Sequence, residues 1–362
     1  MANLRPRPGI LEIEPYVGGK SELAGAGRVI KLSANESALG PSPRAVAALQ
    51  EAALTCHRYP DGEAVALRAA IGRRFQLDPD RIVCGAGSDE LIQLLMRAYA
   101  GPGDEVVYSA HGFLIYKLSA LGVGAMPVPA PERSLRADVD ALLGRIGSRT
   151  RMVFIANPNN PTGSYLAADE LARLHAGLPD DVLLVLDAAY AEYVRANDYG
   201  TGIELVDRAD NVVVTRTFSK LFGLAALRLG WLYGPPAVVD VLNRVRGPFN
   251  VGAPAQVAGI AALEDLEHQE RSRAHNERWL PWLSRALTEL GLTVHPSIAN
   301  FVLVEFAAEG ARGAAAASAW LERAGIIARP MGAYGLPHCL RLSIGLEDEN
   351  RAVVDSLREF VG

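Results

Sequence analysis

Between residues 81 and 246 the chain alternates short apolar runs with helical segments, and this alternation limits the possible folds more than any other feature. The runs fall at 82–84, 105–108, 125–128, 151–155, 182–186, 212–215 and 229–232. Strands that are apolar on both faces must be covered on both faces. The intervening segments at 89–99, 113–121, 168–175 and 237–246 have the spacing of helices that can supply the cover. The expected result is an α/β domain built on a mostly parallel seven-stranded sheet sandwiched by helices. Two more helices are predicted ahead of it, at 43–54 and 63–75.

At 362 residues the chain exceeds the size at which one core usually stops growing, so a second domain is expected. The division predicted is an N-terminal arm (1–44) with one short strand at 29–32, a large domain (45–250) and a smaller α/β domain (251–362). The smaller domain opens on a long helical pattern reaching about Leu290, with a kink expected at Pro281, where the ring removes a backbone donor. Strands at 301–304, 326–328 and 340–343 and helices at 311–324 and 348–360 complete it, and the arm is expected to pack with it.

Several function classes are disfavoured by composition. The net charge is −5 and no basic stripe is present, which argues against nucleic acid. No stretch approaches the roughly 18 apolar residues of a membrane helix. The first residues lack an apolar h-region, so no secretory signal is expected. Three scattered cysteines make no disulfide framework and fit a cytoplasmic setting, and seven histidines form no metal-binding motif.

Four motifs stand at predicted strand ends. Gly85-Ala86-Gly87-Ser88-Asp89-Glu90 joins a strand to a helix, where free backbone N–H groups bind anions; ordinary N-capping by Ser88 or Asp89 is the alternative. Asn157-Pro158-Asn159-Asn160-Pro161-Thr162-Gly163 is either a rigid mount for an amide at the sheet's ligand-binding edge or simply a turn. Asp187 closes an apolar run, with Tyr190 three residues on. A carboxylate there is costly unless a cation meets it, and a protonated ring nitrogen of a cofactor is one such cation; an N-cap is the alternative. Ser219-Lys220 follows the next run, with Arg228 beyond it. A lysine after a strand is ordinarily solvated, but an aldehyde cofactor needs an amine, and an arginine grips phosphate by paired hydrogen bonds.

Together these pieces resemble the fold type I aminotransferases that use pyridoxal 5′-phosphate, and more narrowly the histidinol-phosphate aminotransferase family. The resemblance spans nearly the whole chain. It also includes Leu32-Ser33-Ala34-Asn35-Glu36 with Gly40-Pro41, Tyr59-Pro60-Asp61-Gly62, and Leu340-Arg341-Leu342-Ser343-Ile344-Gly345. It implies that Lys220 is the Schiff-base lysine and proton carrier, that Asp187 holds the pyridine nitrogen protonated, and that Asn160 and Tyr190 bond the phenolate oxygen. It implies that Phe113 stacks on the ring and that Ser88, Asp89, Ser219 and Arg228 bind the phosphate. Tyr59 would reach the phosphate of a partner subunit, so a homodimer with shared sites is implied. Arg341 would meet the anionic end of the substrate, helped by Arg329, Tyr16 and Asn35. The activity implied is ping-pong transfer of an amino group from L-histidinol phosphate to 2-oxoglutarate. Alternatives on the same scaffold are an aromatic amino-acid aminotransferase and a phospho-amino-acid decarboxylase; one of another class is a cofactor-binding regulator or a catalytically silent homologue.

Overall fold

The computed structural model describes residues 6–7, 9–15, 18, 20–23, 28–308 and 310–362. Its main sheet has seven strands in the order Ile82–Gly85, Gly230–Tyr233, Val212–Thr217, Leu183–Asp187, Thr150–Ala156, Glu105–Ser109 and Met126–Ala130. Gly230–Tyr233 runs antiparallel to both its neighbours; the remaining pairs are parallel. Except on the edge strand Met126–Ala130, where Met126 is 56% exposed, the apolar runs are buried on both sides, successive side chains pointing to opposite faces of the sheet. Leu184, Leu186, Val153 and Val214 face one core with the helices Val65–Phe75 and Ala168–Ala176. Val185, Phe154 and Val213 face another with the helices Ser88–Tyr99, Ile115–Val123 and Pro236–Val245.

The long helical pattern after Pro254 is two helices, Ala253–Glu264 and Leu266–Glu289. The break falls at Asp265, whose carboxylate accepts from His268 N and from Ser42 Oγ, while the second helix runs on through Pro281. The first helix buries Ala255, Ala258 and Ala262 in the core shared with Leu67 and Ile71. The second sends Trp279, Leu283 and Leu287 into a separate core with Val302, Leu340 and Leu357.

That core underlies an antiparallel sheet of four strands, Thr293–His295, Phe301–Glu305, Leu336–Ser343 and Arg329–Met331. The run predicted at 326–328 divides: Ile326–Ile327 pairs with Ile30–Lys31 of the N-terminal segment, and the four-stranded sheet takes up the chain again at Arg329. Among the described residues no helix is long and apolar enough to cross a membrane.

Beneath the central strands lies a buried ion pair, Arg216 Nη2 to Glu192 Oε1 at 2.6 Å, with the guanidinium over Phe75 and Trp231. Removing one partner strands a buried charge. Glu192→Leu is therefore expected to destabilise the protein by about 3–5 kcal/mol, and adding Arg216→Met to restore most of the loss. Urea unfolding midpoints of the two variants test this; a double mutant no more stable than the single would refute it.

Candidate active site

One cavity opens where the strands Leu183–Asp187 and Val212–Thr217 end, and it collects twelve of the fourteen side chains singled out in the sequence. These are Asn35, Ser88, Asp89, Phe113, Asn160, Asp187, Tyr190, Ser219, Lys220, Arg228, Arg329 and Arg341. Tyr59 is not among them. It is 83% exposed and stacks on Phe249, 4.7 Å between ring centroids. Tyr16 lies outside the described residues.

Asp187 is the last residue of its strand and is buried. Its Oδ2 accepts from Tyr116 Oη at 2.8 Å and its Oδ1 from Thr215 Oγ1 at 3.2 Å. Both donors are neutral hydroxyls, and no cation pairs with this carboxylate among the described residues. Burial therefore dominates and pushes the carboxyl up to about 6. Such an acid lacks the positive partner that its depth calls for.

Lys220 follows the neighbouring strand, where Ser219 N and Ser219 Oγ both bond Thr217 Oγ1 and fix the turn. The amine is partly buried, 3.3 Å from Ala34 O, and lies over the face of Tyr190. Burial, with Arg341 adding a like charge, pulls its ammonium down to about 8.

The helix Ser88–Tyr99 begins with an open end. Its N-cap is Gly87, and no described side chain caps it, so the capping role considered for Ser88 or Asp89 is not the one observed. Gly87 has φ +86°, and a Cβ there would fall 2.5 Å from Arg228 Nη2. Only glycine lets the guanidinium come so close. Arg228 itself bonds Asp89 Oδ2 at 3.0 Å and Ser219 Oγ at 3.3 Å. An uncapped helix N-terminus, two serine hydroxyls and an arginine make a cradle for a phosphate.

The opposite wall comes from the four-stranded sheet and the N-terminal segment. Arg341 is buried, donates to Asn160 Oδ1 and, at 2.8 Å, to Ser33 O. Asn35 donates to Tyr190 Oη at 2.9 Å, and its own backbone is held by Ser343 and Asn300. The cavity is thus lined by a buried acid, a lowered amine, an anion cradle and a second cation in Arg341. That set fits a phosphorylated pyridine aldehyde together with an anionic substrate.

Sequence reasoning missed Tyr116, Thr217 and Tyr334. Tyr116 reads as a core aromatic on a helical pattern, and it is one, stacked on Phe154 at 4.8 Å; only its hydroxyl serves the site. Its position three residues after Phe113 in the predicted helix 113–121 was the available signal, although the helix itself starts only at Ile115.

The profile of the aminotransferase class I and II family matches residues 27–357. A histidinol-phosphate aminotransferase of Paramagnetospirillum magneticum is 60% identical over 357 residues, 99% of this chain and 98% of the relative. One of Rhodospirillum centenum is 61% identical over 98% of each chain. Among solved structures, histidinol-phosphate aminotransferase from Sinorhizobium meliloti in complex with pyridoxal-5′-phosphate superposes with a TM-score of 0.87 at 28% identity, covering 100% of this chain and 98% of that one.

Proposed function

Because the chain belongs to the class I and II aminotransferases, we propose that it moves the amino group of L-histidinol phosphate to 2-oxoglutarate, giving imidazole-acetol phosphate and L-glutamate. Its cofactor is pyridoxal 5′-phosphate. The observation that carries this reading is the convergence on one cavity of a cation-lacking buried acid, a partly buried lysine and an uncapped helix end beside Arg228. The choice of substrate rests on full-length identity of about 60% with relatives of that name.

When bound, the cofactor supplies the electron sink that lets a proton leave the amino-bearing carbon of the substrate. Lys220 would anchor the cofactor and, as a free amine, would carry that proton, a task suited to an amine with a lowered pKa. Asp187 keeps the ring nitrogen protonated. Tyr190 and Asn160 donate to the ring oxygen, Phe113 covers the ring, and Ser88, Ser219, Arg228 and the backbone of Asp89 hold the phosphate. Arg341 receives the anionic end of the substrate, with Arg329 and Asn35 lining the same cavity; Tyr16 is the further candidate for that end from the sequence. The working unit is a cytoplasmic homodimer in which the exposed Tyr59 completes the partner's phosphate site. The three segments expected from the sequence, 1–44, 45–250 and 251–362, serve as arm, large cofactor-binding domain and small C-terminal domain.

Initial rates with L-histidinol phosphate and with phenylalanine as amino donors test the reading. The phosphorylated donor is expected to win by about 100-fold or more in kcat/KM, because donors placed for a phosphate two bonds further from the amino-bearing carbon meet the α-carboxylate of phenylalanine badly. A preference for phenylalanine would give the aromatic alternative.

A further inference from the structure

Glu132 lies outside the cavity, on the first strand of a small hairpin made by Glu132–Arg133 and Arg136–Ala137, and no step above uses it. Its side chain is only 2% exposed, yet it is fully engaged. Oε1 accepts from Ser109 Oγ and from His111 N, the latter at 3.0 Å; Oε2 meets His111 Nδ1 at 2.8 Å. Burial would raise this carboxyl, but the hydrogen bonds from His111 and Ser109 outweigh it and hold it below the usual range.

All three donors belong to one turn, between the strand Glu105–Ser109 and the helix Ile115–Val123. The turn is closed by Gly112 N on Ser109 O at 2.7 Å, and a Cβ on Gly112 would sit 2.9 Å from that same oxygen. Two parts of the cavity hang from it. Phe113, the next residue, lines the wall and meets Tyr116 edge-on at 5.9 Å, and Tyr116 in turn bonds Asp187. On the other side Asn159 donates to His111 O at 3.2 Å, tethering the loop that presents Asn160. A carboxylate serving only to pin its own hairpin would not need three bonds to a turn on another element; Arg136 and Glu170 already pin that hairpin.

We propose that Glu132 and His111 form a clamp that presets the turn at 109–113, fixing Phe113 over the bound cofactor ring and Tyr116 against Asp187. Glu132 is a positioning residue, not a catalytic one, and the proposal rests on the cofactor reading given above. Glu132→Gln keeps the size but removes the charge: the bonds from Ser109 and His111 N lose their charge assistance, and His111 Nδ1 must change from donor to acceptor to meet the new amide, so the clamp is weakened.

The test uses full-length protein stripped of cofactor and titrated with pyridoxal phosphate, followed by visible absorbance and by circular dichroism of the bound ring. Glu132→Gln is expected to weaken cofactor binding about tenfold, the scale of a lost charge-assisted hydrogen bond, and to reduce the visible dichroism. Ser109→Ala, which removes one donor only, should give a smaller change of the same kind. Glu170→Gln loosens the hairpin without touching the turn; it should lower the unfolding temperature and leave affinity and dichroism as in the wild type. Glu132→Gln and Ser109→Ala proteins with wild-type affinity and dichroism would overturn the clamp, as would an equal effect from Glu170→Gln. A wild-type protein that takes up no pyridoxal phosphate would overturn the cofactor reading itself, and the clamp with it.

Discussion

Lys220→Ala is expected to lower kcat for amino transfer by roughly 10⁴-fold or more, the scale at which removal of a group that is both anchor and proton carrier is felt. The side chains next to Lys220 cannot take over. Tyr190 is buried and its hydroxyl is pushed far up, chiefly by burial, so it is a poor proton acceptor near neutrality. Arg341 and Arg228 stay charged throughout. The variant should fold as the wild type does, since the lysine leaves only a single 3.3 Å bond to Ala34 O. It should still retain pyridoxal phosphate noncovalently through the Arg228 cradle, without the visible band of the lysine-bound form. The wild type adds a pH signature. Attack on the cofactor aldehyde needs the neutral amine, whose fraction rises with pH through the amine's pKa. With that pKa at about 8, the rate of cofactor capture should climb between pH 7 and 9 and then level off. An ordinary lysine would still be climbing about two units higher. A Lys220→Ala protein that keeps the visible band, or turnover within tenfold of wild type, would remove this lysine from its role.

How far the chain can be read without coordinates differs between fold and site. The main sheet is legible because buried strands are apolar on both faces, and all seven fall where the alternation puts them. The reversal of Gly230–Tyr233 is not, since an apolar run carries no mark of direction. Thr293–His295 is missed because three half-exposed residues on a sheet edge have no period to detect. The break at Asp265 is hidden by helical spacing on both sides, and depends on a capping carboxylate that also reaches Ser42, far away in sequence. In the site, Lys220, Asp187 and Arg228 show themselves because each is polar where the surrounding pattern is apolar, and Ser88 because it stands at a glycine-bearing joint between a strand and a helix. Tyr116 and Glu132 do not. Each is unremarkable in its own segment, and becomes informative only once the fold brings it to Asp187 or to the turn carrying Phe113.

Asp187→Asn should separate stability from activity in opposite directions. In the cofactor-free protein the carboxyl is pushed up to about 6 by burial, above the value near 3.9 of an unfolded chain. Between those values the folded state binds more protons than the unfolded one, so stability falls as pH rises from about 4 to 6 and stays low above that. The shift corresponds to about 3 kcal/mol, which an uncharged asparagine avoids, because Tyr116 and Thr215 can still bond its amide. Cofactor-free Asp187→Asn protein is therefore expected to match the wild type at pH 4.5 and to exceed it at pH 8, as read by urea midpoints. Activity should go the other way. Asparagine cannot hold a proton on the ring nitrogen, so the ring accepts electrons poorly, and kcat should fall by about 10²–10⁴-fold with little change in the phosphate cradle's hold on the cofactor. Asp187→Glu would keep the charge but press an extra methylene against Tyr116, and should recover only part of the rate. If Asp187→Asn loses stability equally at both pH values, the carboxylate is a structural partner of Tyr116 and Thr215 and nothing more; if it keeps wild-type kcat, some other group protonates the ring.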